Sequence, residues 1–489
     1  MDIDKQAGKN FAWLSTAQVG IRILGAAFFF FLSYILKDTG LGQYSFVASL
    51  VPFWFILVDF GASGYLYREW TRGKDDLKTM DRDFNILFTT RLIIISAVFI
   101  PFVAINYVSN RDILSSLILL FIALFISQMV GLYDLYLQSA NRFNVVAIRQ
   151  VIEKLVVTAV ATVGLLLLPK VYVVFFAILV SYIGALLYYR YRANLPFRFH
   201  LVFDWARSKE LFRKGMPFVF LGMFAAIYGR IDMIMLRYFS GFEAVGWYSV
   251  AYKFLDISFV FPSLFLASIF PLLSSLYARE GSAGQFAKLF EKSFRVLFSF
   301  GVLVAVFFMF FAPRVIDLFF IDSFAPAAPA LRILMVGQMF AFLSLLFSNL
   351  LIVQRKEYKG LYVVMACALL NIALNILLIP KFSLYGAAWA TVAAELVNLA
   401  ILQHYAEWKT TRNTLMTMFA VSAGNLALFA IFHIAGLLDV LWLGIVALLC
   451  NFALLFAVRL VNKNDILLFL DPFVMKFKSL LRSNQVDTV

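Results

Sequence analysis

A chain of 489 residues that is 63% hydrophobic and 17% aromatic, with only 14% charged residues, falls well below the roughly 25% charge of an average soluble protein and is integral-membrane in composition. Its net charge of +14 would suit a nucleic-acid partner. However, about 29 lysines and arginines fall on one set of alternate loops against about six on the other, so the basicity is topological and argues against such a partner. Cys367 and Cys450 both lie inside apolar runs, which excludes a disulfide framework and a CxxC metal site. His200, His404 and His433 are too scattered for a zinc or catalytic motif.

Apolar runs at 11–36, 43–67, 85–106, 112–138, 145–168, 171–189, 215–236, 247–275, 295–320, 327–353, 360–379, 384–403, 415–436 and 440–458 predict about fourteen transmembrane helices, each able to cross a ~30 Å hydrocarbon core. The ~10-residue alternating segments of a membrane barrel are absent. The opening MDIDKQAGKN leads into a run too long for a signal peptide, so it reads as an uncleaved first span. The basic loops place both termini in the cytoplasm of a multi-pass plasma (inner) membrane protein.

The longest hydrophilic segments, 68–84, 190–214 and 276–293, all fall on the expected cytoplasmic side. The expected organisation is a six-helix bundle at 1–189, a basic linker at 190–214 and a second six-helix bundle at 215–406. Spans thirteen and fourteen follow at 407–461, and a cytoplasmic tail at 462–489 has the spacing of an interfacial helix. The two bundles repeat. GLGQYSFVAS after the first span matches AVGWYSVAYK after the seventh, sharing G-x-Y-S at Gly42 and Gly246, and LLLPK at 166–170 matches LLIPK at 377–381. The fold class is therefore all-α polytopic, two pseudo-symmetric six-helix bundles plus two C-terminal helices. Such repeats suit alternating access to a midplane site.

Because charge inside the membrane is costly, polar residues within the spans carry the most information. Ser15, Gln18 and Arg22 share one face of span one, far from either end of the run. Asp59 ends a stripe with Ser45, Ser49 and Pro52 in span two, and Asp134 lies in one with Ser127, Gly131 and Gln138 in span four; both are candidates for ion coupling, or for structural pairing with Arg22. The Arg149, Glu153, Lys154 cluster reads as charge at the cytoplasmic end of span five. Arg230 and Asp232 occupy different faces of span seven, and Lys253 and Asp256 can neutralise each other in span eight. Asn371 with Asn375, and Thr391 with Glu395 and Asn398, share faces suited to interhelical hydrogen bonds or to a polar cavity. Arginine's planar fork matches phosphate oxygens in a bidentate way, so the ligand expected at Arg22, Arg230 and Lys253 is anionic.

The passage QRKEYKGLYVVMACALLNIALNILLIPKFSLYGAAWATVAAELV at 354–397 resembles the oligosaccharide (Wzx-type) flippases of the multidrug/oligosaccharidyl-lipid/polysaccharide exporter superfamily. Asp59-Phe60-Gly61, Gly246-x-Tyr248, Phe270-Pro271-Leu272-Leu273-Ser274 and the Ala325 to Leu334 run support the resemblance. It implies a non-enzymatic monomer that moves a polyprenyl-diphosphate-linked oligosaccharide between leaflets through a cationic cavity, alongside polysaccharide polymerase machinery. It implies no cofactor, with coupling to protons, sodium or membrane potential. The dense arginine cluster of lipid II flippases is missing from span one, which argues against a peptidoglycan substrate. The competing readings are a drug or metabolite cation antiporter of the same fold, resting on Asp59 and Asp134, and a membrane glycan polymerase or ligase. The short outer loops argue against an enzyme.

Overall fold

The computed structural model describes residues 2–71, 76–192, 198–408 and 411–434. Among them the chain forms twelve α-helices, nine of them long and apolar enough to cross a membrane. Most of the expected spans up to the thirteenth fall on a single one of these helices, but the second and the eighth each run across a break between two. Span fourteen, Cys450, the proposed tail helix and the side chains of Ser15 and Gln18 lie outside what is described.

Three of the long helices are interrupted by a residue with non-helical backbone angles. Helix α1 (Asp2–Asp59) has 58 residues and would run ~87 Å if straight, nearly three times the hydrocarbon core. At Lys37 the backbone leaves the helical region (φ 56°, ψ −167°), between the first and second expected spans.

The helices that follow in the first half are α2 (Ala62–Thr71), α3 (Leu77–Ser109), α4 (Leu114–Ser139), α5 (Phe143–Leu167) and α6 (Val171–Arg192). Helix α7 (Trp205–Ser258) breaks at Gly241 (φ 88°, ψ 179°). After α8 (Val260–Ala278), α9 (Ala283–Phe319) and α10 (Ala327–Val353), helix α11 (Glu357–Ala406) breaks at Ser383 (φ 50°, ψ −131°), and α12 (Arg412–Ile434) ends the described chain.

The second span is shorter than expected. Its helix stops at Asp59, and Phe60 (φ 48°) and Gly61 (φ 66°) turn the chain out. Glycine at this point accepts a left-handed backbone that would strain another side chain. The residues expected to finish the span instead form α2, which buries only Ala62, Leu66 and Trp70 along one edge.

The chain divides into two compact units, Met1–Gly246 and Trp247–Val489. In the first, Phe84, Leu132, Tyr133, Leu137 and Tyr189 lie in one buried apolar cluster at the basic-loop end. The connector after residue 197 docks there. Phe199 packs on Phe84 (ring centroids 5.4 Å), Phe88 (4.6 Å) and Tyr133 (5.1 Å), while the amides of His200 and Val202 donate to Asn85 Oδ1 and Thr89 Oγ1, each at 2.9 Å.

In the second unit, Phe290 meets Phe347 at 5.5 Å and Phe300 meets Phe342 at 5.7 Å. Gly301 and Gly337 let α9, α10 and α11 approach closely, since a Cβ on either would meet Met339 at 3.0 Å or Val392 at 3.1 Å.

The repeat seen in the sequence has structural counterparts. Both backbone breaks, at Lys37 and Gly241, precede the glycine of G-x-Y-S by the same number of residues. The motif tyrosines each contact a helix that follows an LLxPK segment, through different groups and each within its own unit. Tyr44 stacks on Phe175 of α6 at 5.6 Å, and the Tyr248 hydroxyl lies 3.3 Å from Thr391 Oγ1 in the second arm of α11.

Within the first unit, a Cβ on Gly42 would sit 1.8 Å from the Phe242 carbonyl oxygen, and one on Gly246 would sit 2.2 Å from that of Asp38. Only glycine permits such reciprocal backbone contact.

Candidate functional site

Arg22 is exposed on α1 and forms no ion pair or hydrogen bond among the described residues. The two carboxylates weighed as its structural partners are engaged elsewhere. Asp59 pairs with Arg91 of α3, whose guanidinium also donates to Ser63 Oγ at 2.5 Å and to the Gln128 carbonyl at 3.0 Å. Asp134 accepts from Arg149 Nη2 at 2.9 Å and from the Tyr189 hydroxyl, and Arg149 also pairs with Glu153.

These acids therefore close on arginines inside the first unit. The physical reason is helix neighbourhood: Arg91 and Arg149 are 2% and 6% exposed at the side chain, so each needs an anion beside it. Sequence reasoning missed Arg91, although a charged residue within an expected span was itself a signal.

Lys154 is also placed differently from expectation. It lies at the middle of α5, not at its end, with its side chain against Gly25 and over the Phe28 ring of α1. The helix begins at Phe143, so one and a half turns separate its start from Arg149 and about three from Lys154.

Further along the first unit, Arg230 Nη1 lies 3.9 Å from Met233 Sδ, and Ser49 Oγ donates to the same sulfur at 3.3 Å. This ties α7 to the second arm of α1. Asp232 is buried, and its carboxylate accepts from the Met233 amide at 2.8 Å.

In the second unit, Lys253 is half-buried and Asp256 exposed, both on α7. Asn375 Nδ2 donates to Asn371 Oδ1 at 2.9 Å, so these two are brought together in the core. Glu395 accepts from Asn398 Nδ2 at 3.3 Å.

A second set of charges gathers where the connector meets α2 and α3. Arg207 binds Asp83 (2.7 Å), Glu69 (3.0 Å) and Glu210 (2.8 Å), Lys214 binds Glu210 (2.5 Å), and Arg82 binds Asp204 (2.6 Å). Hydrogen bonds from Lys214 and Arg207 pull the Glu210 carboxyl down to about 2. The Arg207 guanidinium is held above its ordinary value, chiefly by the buried Asp83. Asp204 is lowered by the Arg207 amide and by Arg82. This is a clasp that fastens the connector, with no cation left over for a ligand among the groups named. No cluster of acids, histidines and cysteines that could hold a metal occurs among the described residues.

The long apolar helices, the acids paired within the first unit and the exposed Arg22 are those of a polytopic membrane protein, and its fold has counterparts among solved transporters. A solved lipid II flippase MurJ in an inward closed conformation is similar over 96% of this chain and 99% of its own, with TM-score 0.74 and 15% identity. An inward-facing multidrug MATE transporter is similar over 84% and 99%, with TM-score 0.62 and 14% identity. At such identities these likenesses speak to fold alone.

Residues 7–277, more than half of the chain, match the polysaccharide biosynthesis protein family, and residues 217–377 match the MatE family. The chain belongs to the polysaccharide biosynthesis family, whose members are transporters and not enzymes.

An uncharacterized membrane protein of Methanocaldococcus jannaschii is 31% identical over 39% of this chain and 38% of its own. The capsular polysaccharide biosynthesis protein CapF of Staphylococcus aureus is 26% identical over 42% and 51%. The matched part is thus about half, or less, of these curated relatives' lengths.

Proposed function

We propose that this protein flips a polyprenyl-diphosphate-linked oligosaccharide from the cytoplasmic to the outer leaflet for cell-surface polysaccharide biosynthesis. Transport is by alternating access of two pseudo-symmetric six-helix repeats, with two further helices and both termini in the cytoplasm of the plasma membrane. The observation that carries this reading is Arg22, a guanidinium on a membrane helix that no carboxylate neutralises among the described residues. Holding it there costs about 2.5–3.5 kcal/mol on insertion scales, which an anionic headgroup offsets at the moment of binding.

Asp59 and Asp134 are bound by arginines, so the acidic, cation-coupled cavity of a drug antiporter loses its two leading residues. Arg230 on the first unit and Lys253 on the second are further candidate diphosphate contacts, with Asp256 and Glu395 as candidate polar groups of the second, where Asn371 and Asn375 satisfy each other in the core. Outward movement of a headgroup across an inside-negative membrane gains about 2.3 kcal/mol per charge per 100 mV if the charge crosses the field, so potential can contribute to coupling. The protein acts as a monomer beside a polysaccharide polymerase.

The test is transport of a lipid-linked oligosaccharide in liposomes, followed by access of an external lectin to the sugar. Arg22→Ala and Arg230→Ala abolish transport while the protein stays inserted and abundant. Arg22→Lys is partly defective, because bidentate geometry is lost. Wild-type rates in both alanine variants overturn the reading.

A further inference from the structure

A second cation stands one helical turn from Arg22. A Cβ placed on Gly25 would lie 3.3 Å from Lys154 Cε and 3.4 Å from its Nζ, and Nζ stands 5.8 Å from the Phe28 ring centroid. Arg22 and Gly25 are neighbours on one face of α1, with side-chain origins about 5–6 Å apart. Among the described residues, Lys154 Nζ makes no hydrogen bond and has no carboxylate within ion-pair distance, while the adjacent Glu153 is taken by Arg149.

Both cations are deep. At 1.5 Å per residue, Lys154 lies roughly 16 Å from the start of α5 and roughly 20 Å from its end, and Arg22 roughly 22 Å from the backbone break at Lys37. In a ~30 Å core this puts the pair near the midplane, beyond the reach of either side chain to the headgroups. Neither cation has an ion-pair partner among the described residues, and the π-face of Phe28 offsets only about 0.5–2 kcal/mol of the cost of holding an ammonium at this depth. One negative oxygen satisfies one of them. An anion with two adjacent charged groups satisfies both.

We propose that Lys154 is the second cation of an anion site on the first unit, placing its ammonium on one phosphate of a diphosphate headgroup while the Arg22 fork takes the other. Gly25 is a positioning residue: its missing side chain leaves the space that the lysine stem and ammonium occupy. Phe28 holds the ammonium at that depth when no ligand is bound. This rests on the anionic reading of Arg22 given above and extends it to the number of charges recognised. The shared chemistry is a lipid-borne phosphate, from a polyprenyl diphosphate or from bulk anionic phospholipid.

The experiment measures retention of radiolabelled farnesyl diphosphate by the purified full chain in phosphatidylcholine nanodiscs. Farnesyl monophosphate, farnesol and phosphatidylglycerol serve as competitors. Lys154→Met weakens diphosphate binding about tenfold, Lys154→Gln gives the same loss, and Lys154→Arg recovers most of it. Gly25→Leu, which leaves every charge in place, weakens it several-fold. The monophosphate discriminates less between wild type and Lys154→Met.

If Arg22→Ala loses binding while Lys154→Met and Lys154→Gln retain it, the role of Lys154 is overturned and the flippase reading stands. If farnesol competes as well as the diphosphate, the anionic reading itself falls. If phosphatidylglycerol competes equally, the assignment to the transported lipid is overturned in favour of a bulk-lipid site.

Discussion

Replacing Asp59 by alanine strands the Arg91 guanidinium, which is 2% exposed and already has one nitrogen, Nε, with no acceptor. Ser63 and the Gln128 carbonyl remain as partners, but neither carries charge. An uncompensated buried cation costs about 3–5 kcal/mol. The reverse change, Arg91→Met, leaves Asp59 31% exposed at the side chain and still accepting from Ser63 Oγ at 2.7 Å, so water can reach it and the cost falls to about 1–2 kcal/mol. Combining the two removes both charges and returns the cost to about the smaller single value.

Through local opening, 3–5 kcal/mol corresponds to roughly 10²- to 10⁴-fold faster amide exchange in the affected helices. Hydrogen–deuterium exchange in nanodiscs on peptides covering 59–71 and 84–95 reads this directly. The order expected is Asp59→Ala fastest, then Arg91→Met and the double variant close together. Equal exchange in the two single variants refutes the assignment of the buried charge to Arg91. A change in the ion dependence of transport that persists in the double variant refutes the structural role of the pair.

Three other outcomes are expected. Gly42→Ala lowers the melting temperature sharply because its Cβ would meet a backbone oxygen at 1.8 Å, while Gly131→Ala, with nothing within 4 Å, is tolerated; thermal melts of the two variants decide. Lys37→Gly relieves a backbone conformation nearly restricted to glycine and stabilises by about 1–3 kcal/mol, whereas Gly241→Ala destabilises, both read by denaturant unfolding. Glu210 has its carboxyl depressed to about 2, so its contribution to the connector clasp is complete above its ordinary value of 4.5 and is lost as pH falls toward 2. Being half-exposed, the group supplies under about 1 kcal/mol, and protease nicking at 198–214 should rise modestly as pH falls from 4.5 toward 3, and less so in Glu210→Gln, where Asp204 still titrates.

The membrane helices were legible because a bilayer imposes length and apolarity on every helix that crosses it, and nine such helices stand among the described residues. The matching motifs were legible because a G-x-Y-S glycine follows a backbone break by five residues in both places, at Lys37 and at Gly241. Pairing was not. Sequence periodicity places Arg22, Asp59 and Asp134 on helix faces, but which face meets which helix depends on packing. That packing gives Asp59 to Arg91 and Asp134 to Arg149. Lys154 was misjudged because it was grouped with Arg149, which sits more than a full turn nearer the helix start. Counting turns from the first residue of the run would have placed it at the midplane.

The docked connector also bears on the order in which the chain is built. Phe199, His200, Val202 and Arg207 bind residues of α2, α3 and α4, all of which are synthesised earlier. At about 5–20 residues per second, the remaining ~275 residues occupy roughly 14–55 s of translation after Lys214 is added. The first unit therefore has the material to seal its own basic-loop end long before the second half has left the ribosome. The charged clasp lets that end of the first unit close before the rest of the unit, through Gly246, has been added.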